Sequence, residues 1–87
     1  PAHMIATVAE KFDCDIFIRS PEAVRINDEW VRPESGSWNQ VSAKDRLGLL
    51  AMELESSAPV EIVCNGEDAK QALEAMLEVF ESGFDEE

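Results

Sequence analysis

The hydrophobic period of the sequence changes at Gly66, and this change strongly limits the possible folds. In "APVEIVCNG", Val60, Ile62 and Cys64 alternate with other residues, which is typical of a half-buried strand. In "EDAKQALEAMLEVFESG", the apolar residues recur at helical spacing: Ala69, Ala72, Leu73, Met76, Leu77 and Phe80. Gly66 supplies the turn between them, and Gly83 is the expected helix end. The chain is therefore predicted to finish with a strand, a tight turn and a long amphipathic helix.

The start of the chain predicts a helix followed by a strand. In "PAHMIATVAEKF", one face carries residues spaced i, i+3, i+4 and i+7, namely Ile5, Val8, Ala9 and Phe12. Proline suits the first helical position, where its missing N–H leaves no helical bond unmade. "FDCDIFI" then alternates, with Cys14, Ile16 and Ile18 on one face, which predicts a strand over residues 13–19.

Two interpretations of the segment between residues 20 and 40 stay open. In "SPEAVRINDEWVRPESGSWNQ", the pieces "AVRI" and "EWVR" can form part of a long hairpin, with "SGS" as the turn and "SWNQVS" as the returning strand. The alternative is an irregular surface loop. Both tryptophans, Trp30 and Trp38, lie in this segment.

A short, strongly apolar helix is predicted over residues 45–54. Asp45 lies in its expected first turn, where a negative charge suits the positive end of the helix dipole. Its apolar residues surround almost the whole helix: Leu47, Leu49, Leu50, Ala51, Met52 and Leu54. One alternative is that the helix is sunk deep in the core. Otherwise some of this apolar surface is exposed and contacts a partner.

The order of these elements predicts a single α+β domain over residues 1–87. A short chain of this length forms one modest core. The order is helix, strand, a second strand, short helix, a further strand and long helix. It favours a two-layer open-faced sandwich, in which three helices cover one face of an antiparallel sheet.

Composition argues against several classes of function. The chain has 7 basic and 19 acidic residues, a net charge of −12, which disfavours binding to nucleic acid or anionic membranes. Cys14 and Cys64 lie in apolar alternating segments, which suits free thiols in a reducing cytoplasm, the alternative being a disulfide between them. The sequence has one histidine, no Cys-x-x-Cys pair and no glycine-rich phosphate loop, so we expect no metal and no cofactor.

Three stretches together resemble HPr, the histidine-containing phosphocarrier of the phosphoenolpyruvate-dependent sugar phosphotransferase system. They are "PAHMIATVAEKFDCDIFI", "VSAKDRLGLLAMEL" and "VEIVCNGEDAKQALEAMLEVFE". The resemblance implies an insertion at residues 20–38, where the family has a tight hairpin turn. It also implies a phosphoryl carrier rather than a true catalyst, with Enzyme I and sugar-specific IIA-type proteins as partners.

The resemblance implies that the phospho-acceptor precedes the sequence given. The family's first strand ends in a His-x-Arg-Pro-Ala motif, and Pro1 and Ala2 match its Pro-Ala at the N-terminus of the active-site helix. The phosphohistidine is thus expected just upstream of Pro1, and His3 is not the acceptor. Without the first strand, one sheet edge would be unpaired, which favours a dimer or strand exchange.

The resemblance also assigns roles on the short helix. Asp45 occupies the position of a regulatory serine, so control by phosphorylation is expected to be absent there. Partner-binding residues would be Leu47, Leu50 and Ala51, whereas Leu49 and Met52 would face the core. The alternative function is an HPr-like regulatory or interaction module without phosphotransfer. Thr7 and Glu10 stand where the family often has basic residues, which would weaken binding to acidic partners.

Overall fold

The computed structural model describes residues 2–52 and 59–82, and it has the predicted α+β open-faced sandwich. In chain order, the elements are α1 (Ala2–Ala9), β1 (Asp15–Pro21), β2 (Val24–Ile26), β3 (Glu29–Val31), β4 (Trp38–Ser42), α2 (Arg46–Met52), β5 (Glu61–Asn65) and α3 (Ala69–Glu81). Pro1, Leu54 and Gly83, to which the sequence assigns roles, lie outside the described residues.

The main sheet has β1 at its centre, paired antiparallel with β4 on one side and with β5 on the other. Ile18 of β1 lies opposite Val41 of β4 and Ile62 of β5, so these side chains share one face of the sheet. Ile16 and Ile18 are fully buried on this face. They form a core with small and apolar residues of the helix layer: Ile5, Ala6, Ala9, Leu49, Ala72 and Met76.

Two predicted boundaries at the start of the chain are wrong by a few residues. The first helix ends at Ala9 instead of continuing to Phe12, because the N–H groups of Lys11 and Phe12 bond three residues back, in a tightened final turn. The first strand spans 15–21 instead of 13–19. The strand begins two residues later than predicted because the N–H groups of Asp13 and Cys14 donate to the Asp68 carboxylate rather than to a neighbouring strand.

The segment between residues 20 and 40 forms a separate two-stranded hairpin and the edge strand β4. Strands β2 and β3 pair with each other, and their turn is Asn27–Asp28, where both residues have positive φ (54° and 65°). The predicted "SGS" turn does not close this hairpin; the Gly36 N–H donates to the Pro33 carbonyl in the link to β4. The single long hairpin was therefore wrong. The returning strand, β4, pairs with β1.

Asp68 joins the start of α3 to the chain that enters β1. Its two carboxylate oxygens accept hydrogen bonds from the Asp13 and Cys14 N–H groups, each at 3.0 Å. The turn at Gly66, just before Asp68, is also closely packed against this part of the chain. Gly66 has φ of +141°, and a Cβ there would lie 2.6 Å from Cys14 Cβ, so only glycine fits. The last helix is thereby fixed against the central strand.

The two cysteines are free thiols, and both lie near this junction. Burial, and after it the Asp68 carboxylate, raises the pKa of the Cys14 thiol to about 11. Burial also raises the pKa of Cys64. At neutral pH both thiols are protonated and therefore poor nucleophiles.

Two further properties concern only residues 2–52 and 59–82. Within these ranges no helix has the length and apolar character needed to cross a bilayer. In the same part of the chain, no three His, Cys, Asp or Glu side chains are grouped so that they could hold a metal ion.

The Asp68→Asn variant is expected to be less stable than the natural chain at neutral pH, because an amide replaces a charged acceptor of two N–H groups. The Asp13 N–H, and after it the Cys14 contacts, hold the pKa of the Asp68 carboxyl below its ordinary value of 3.8. Its stabilising effect is therefore present above that value and is lost as the pH falls through the lower folded-state pKa. Urea unfolding of both proteins across the acid range checks this. A stability difference that stays constant down to the lowest pH would contradict it.

Candidate functional site

The candidate site is the outer surface where α2 lies beside α1. Leu47 and Leu50 are 79% and 63% exposed, and Ala51 is exposed next to them. Leu47, Leu50 and Ala51 stand three and four residues apart, so they share one helix face. On the opposite side, Leu49 is buried in the core and the half-buried Met52 packs against it. The helix is thus neither sunk in the core nor fully exposed. The assignment of its outer face to partner binding stays a prediction.

Asp45 caps α2 instead of lying in its first turn, as the sequence had suggested. Its carboxylate oxygen Oδ1 accepts a hydrogen bond from the Gly48 N–H at 3.1 Å, which satisfies an otherwise unpaired donor of the helix start. Ser42 supports the same turn, since its hydroxyl accepts from the Lys44 N–H at 3.2 Å. This capping role explains an acid at position 45 without any regulatory function. The regulatory role stays untested.

Gly48 allows α2 to lie directly on β4. A Cβ at this position would overlap the Cγ2 methyl of Val41 and would approach Asp45 Oδ2 to 2.7 Å. Any larger residue there requires the Val41 and Asp45 side chains, or the helix itself, to shift. The absence of a side chain at Gly48 therefore lets the helix that carries the exposed leucines pack closely on Val41.

Arg46 connects α2 to α1. Its Nη1 donates to Glu10 Oε2 at 2.7 Å, and its Nη2 donates to the Thr7 hydroxyl at 3.3 Å. A second connection lies nearby, where Lys44 Nζ donates to the Phe12 carbonyl at 2.7 Å. Two cationic side chains thus hold the start of α2, and the turn before it, against the end of α1 and the turn that follows it.

The N-terminal end of α1 is a second candidate, at the opposite end of that helix from the Arg46 contacts. Ala2 is buried, and His3 is exposed on the helix surface. The N–H groups at a helix start and the helix dipole favour a bound anion. This end of α1 therefore suits a negatively charged group, although it supplies no reactive side chain of its own beyond His3 in the described residues.

Sequence reasoning found the exposed leucines but missed the contact of Arg46 with Glu10. These two residues are 36 positions apart, so no local pattern connects them. The hairpin turn at Asn27–Asp28 was also missed. A signal for it existed, since a two-residue turn between alternating segments favours residues such as Asn and Asp that tolerate positive φ.

A family model and a known protein both match the sequence of this chain. The family model described as the PTS HPr component phosphorylation site matches residues 1–82. The chain is 25% identical over 87 residues to phosphocarrier protein NPr of Proteus mirabilis (strain HI4320), and the match covers 100% of this chain and 80% of that protein.

Solved structures share the fold. The HPr dimer from Thermoanaerobacter tengcongensis superposes with a TM-score of 0.72 and 22% identity, covering 99% of this chain and 80% of that one. Crh, the catabolite repression protein of Bacillus subtilis, superposes with a TM-score of 0.68 and 23% identity, covering 94% and 76%. Its structure is described as an intertwined dimer with a swapped domain.

The Gly48→Ala variant is expected to lose about 1–3 kcal/mol of unfolding free energy, because the added methyl group overpacks the contact with Val41. Alanine has the better helix propensity, by about 1 kcal/mol, so a simple helix effect would have the opposite sign. Urea unfolding distinguishes the loss of stability expected from overpacking from the gain expected from helix propensity. In the combined variant Gly48→Ala/Val41→Ala, the overlap with the Val41 methyl group is removed and only the contact with Asp45 remains, so the penalty of the Gly48 change should become smaller. An unchanged or increased stability of Gly48→Ala would contradict the close packing.

Proposed function

Because the chain belongs to the PTS HPr family of phosphocarrier proteins, we propose that it relays a phosphoryl group from Enzyme I to sugar-specific IIA-type components. Phosphoenolpyruvate is the original donor in this relay. In the first step, the P–O bond of phosphoenolpyruvate breaks as a P–N bond to Enzyme I forms, and pyruvate leaves. In each later step, a P–N bond to one histidine breaks as a P–N bond to the next forms, so the phosphoryl group is conserved. The carrier acts as a nucleophile and then as a donor, and its partners perform most of the catalysis.

The exposed leucines of α2 are the single observation that best supports this function. Leu47 and Leu50 place two large apolar side chains in water, on a helix whose first residue, Arg46, contacts the end of α1. Burying one leucine side chain is worth about 1.5–3 kcal/mol, so a partner that covers both gains substantial affinity. A carrier that must dock on several proteins in turn needs such a surface near its phosphoryl group.

We place the phospho-acceptor on a histidine just upstream of Pro1, in the His-x-Arg part of the family motif. There the phosphorylated imidazole would lie at the N-terminus of α1, where helix N–H groups and the dipole stabilise a dianion. His3 is two residues past Pro1, the proline of that motif, so it is not the acceptor. The partners of this relay act in the cytoplasm, which is the location we propose for the protein and which suits its free thiols.

A second candidate function is a regulatory or interaction module that does not transfer phosphate. Asp45 supports it, since an aspartate carries about half the charge of a phosphoserine. The hairpin β2–β3 supports it as well, because Trp30 is 66% exposed there and could contact a partner. Under this alternative, α2 and the hairpin bind a protein while no phosphoryl group moves.

The natural full-length gene product is expected to accept phosphate from Enzyme I and phosphoenolpyruvate, in an acid-labile bond to histidine. The double variant Leu47→Ser/Leu50→Ser should raise the KM of Enzyme I for the carrier roughly tenfold or more, because apolar contact area is lost. Leu73→Ser/Leu77→Ser is the matched control, since both leucines are partly exposed on α3. The KM values of both double variants are measured from the kinetics of radiolabelled phosphoryl transfer. No labelling of the natural protein would favour the second candidate function instead.

A dimer, or exchange of a strand between two copies, is also proposed. Strand β5 is an edge of the described three-stranded sheet, and its outer N–H and C=O groups can pair with another strand. For the chain of residues 1–87, light scattering coupled to size exclusion is expected to give a mass that rises toward a dimer with concentration. A monomer at the highest concentration would contradict this.

A further inference from the structure

An ion pair lies within the apolar surface of α2. Arg46 and Leu50 stand four residues apart and therefore face the same side of the helix, next to Leu47. The Arg46 side chain is 43% exposed, and that of its partner Glu10 is 47% exposed. A protein that covers the two leucines therefore also removes water from Arg46 and Glu10.

Stability does not account for this ion pair. An exposed salt bridge contributes little to folding, because water screens it and ordering the two side chains costs entropy. The α1–α2 contact has other supports, namely the hydrogen bond from Lys44 to the Phe12 carbonyl and the buried Leu49. The ion pair has a larger effect on binding when a partner removes the surrounding water, because a charge taken out of water is costly unless an opposite charge compensates it.

Both members of the pair keep unused hydrogen-bonding capacity. A guanidinium has five N–H donors. In the described part of the chain, Arg46 donates one bond to Glu10 and one to Thr7. Only Oε2 of the Glu10 carboxylate accepts in these contacts. When water is displaced, the remaining donors need an acceptor, and the remaining oxygen needs a donor.

We propose that Arg46 and Glu10 together determine which partner can dock on α2. The fitting surface has an apolar recess for Leu47 and Leu50, a carboxylate facing Arg46 and a cationic side chain facing Glu10. A uniformly acidic surface fits poorly, because it meets the Glu10 carboxylate. This inference rests on the proposed function, since it takes Enzyme I as the docking partner.

Charge reversal in the natural full-length protein tests the inference. Arg46→Glu and Glu10→Arg are made singly and together, so that the double variant restores an ion pair of opposite orientation. Lys70→Glu and Glu74→Arg are matched controls, because they make the same charge changes on exposed positions of α3. The readouts are the KM and kcat of transfer from phosphorylated Enzyme I, together with the melting temperature.

Each single reversal is expected to raise KM about tenfold or more with little change in kcat, whereas the controls stay within about twofold. The double reversal should remain as impaired as the singles, although its melting temperature matches that of the natural protein. A double reversal with normal KM would overturn the inference, since it would show that the pair only joins α1 to α2. Controls as impaired as the reversals would overturn it too, because net charge alone would explain the effect.

Two other outcomes are distinguishable from these. If the double variant fails to fold, the Glu10→Gln variant tests the inference, because glutamine keeps an acceptor for Arg46 but removes the negative charge. A raised KM of Glu10→Gln supports the inference, and an unchanged KM overturns it. If the natural protein is not phosphorylated while its variants all fold, the proposed function fails, and the inference fails with it.

Discussion

The fold depends on the position of β1 between two strands and beneath the helices. Strands β4 and β5 each pair with β1 and not with one another, so the described sheet exists only through this strand. Its inner face supplies Ile16 and Ile18, which are fully buried beneath α1 and α3. Asp68 and Gly66 fix where β1 begins, through two hydrogen bonds and a close backbone contact. The rest of the molecule is attached to this arrangement.

The candidate docking surface follows from that arrangement through β4. This strand leads by a short turn into α2, which Asp45 caps and which Gly48 allows to lie directly on the sheet. Once Leu49 is buried, helical geometry turns Leu47 and Leu50 outward. Arg46 then contacts α1 through Glu10. One packing arrangement therefore places exposed apolar side chains and an ion pair in one part of the molecule.

Local patterns were sufficient to predict the helices, the strands β1 and β5 and the layered fold. The alternation around Ile16 and Ile62 and the helical spacing around Met76 are properties of short segments, and burial enforces both. Contacts between distant segments could not be predicted. The start of β1 depends on Asp68, and the pairing of Arg46 with Glu10 depends on how α2 lies on β4. The hairpin β2–β3 was ambiguous because its strands have three residues each. The function came from resemblance to a family, since no residue pattern within the chain specifies phosphotransfer.

The central claim is that this fold carries a phosphoryl group to and from partner proteins. Intact-mass spectrometry of the natural full-length protein tests it most directly, after incubation with Enzyme I and phosphoenolpyruvate and without exposure to acid. The account predicts an added mass of one phosphoryl group, which disappears on acidification and maps to a histidine upstream of Pro1. An unchanged mass, in a reaction where an established HPr is phosphorylated, would contradict the account.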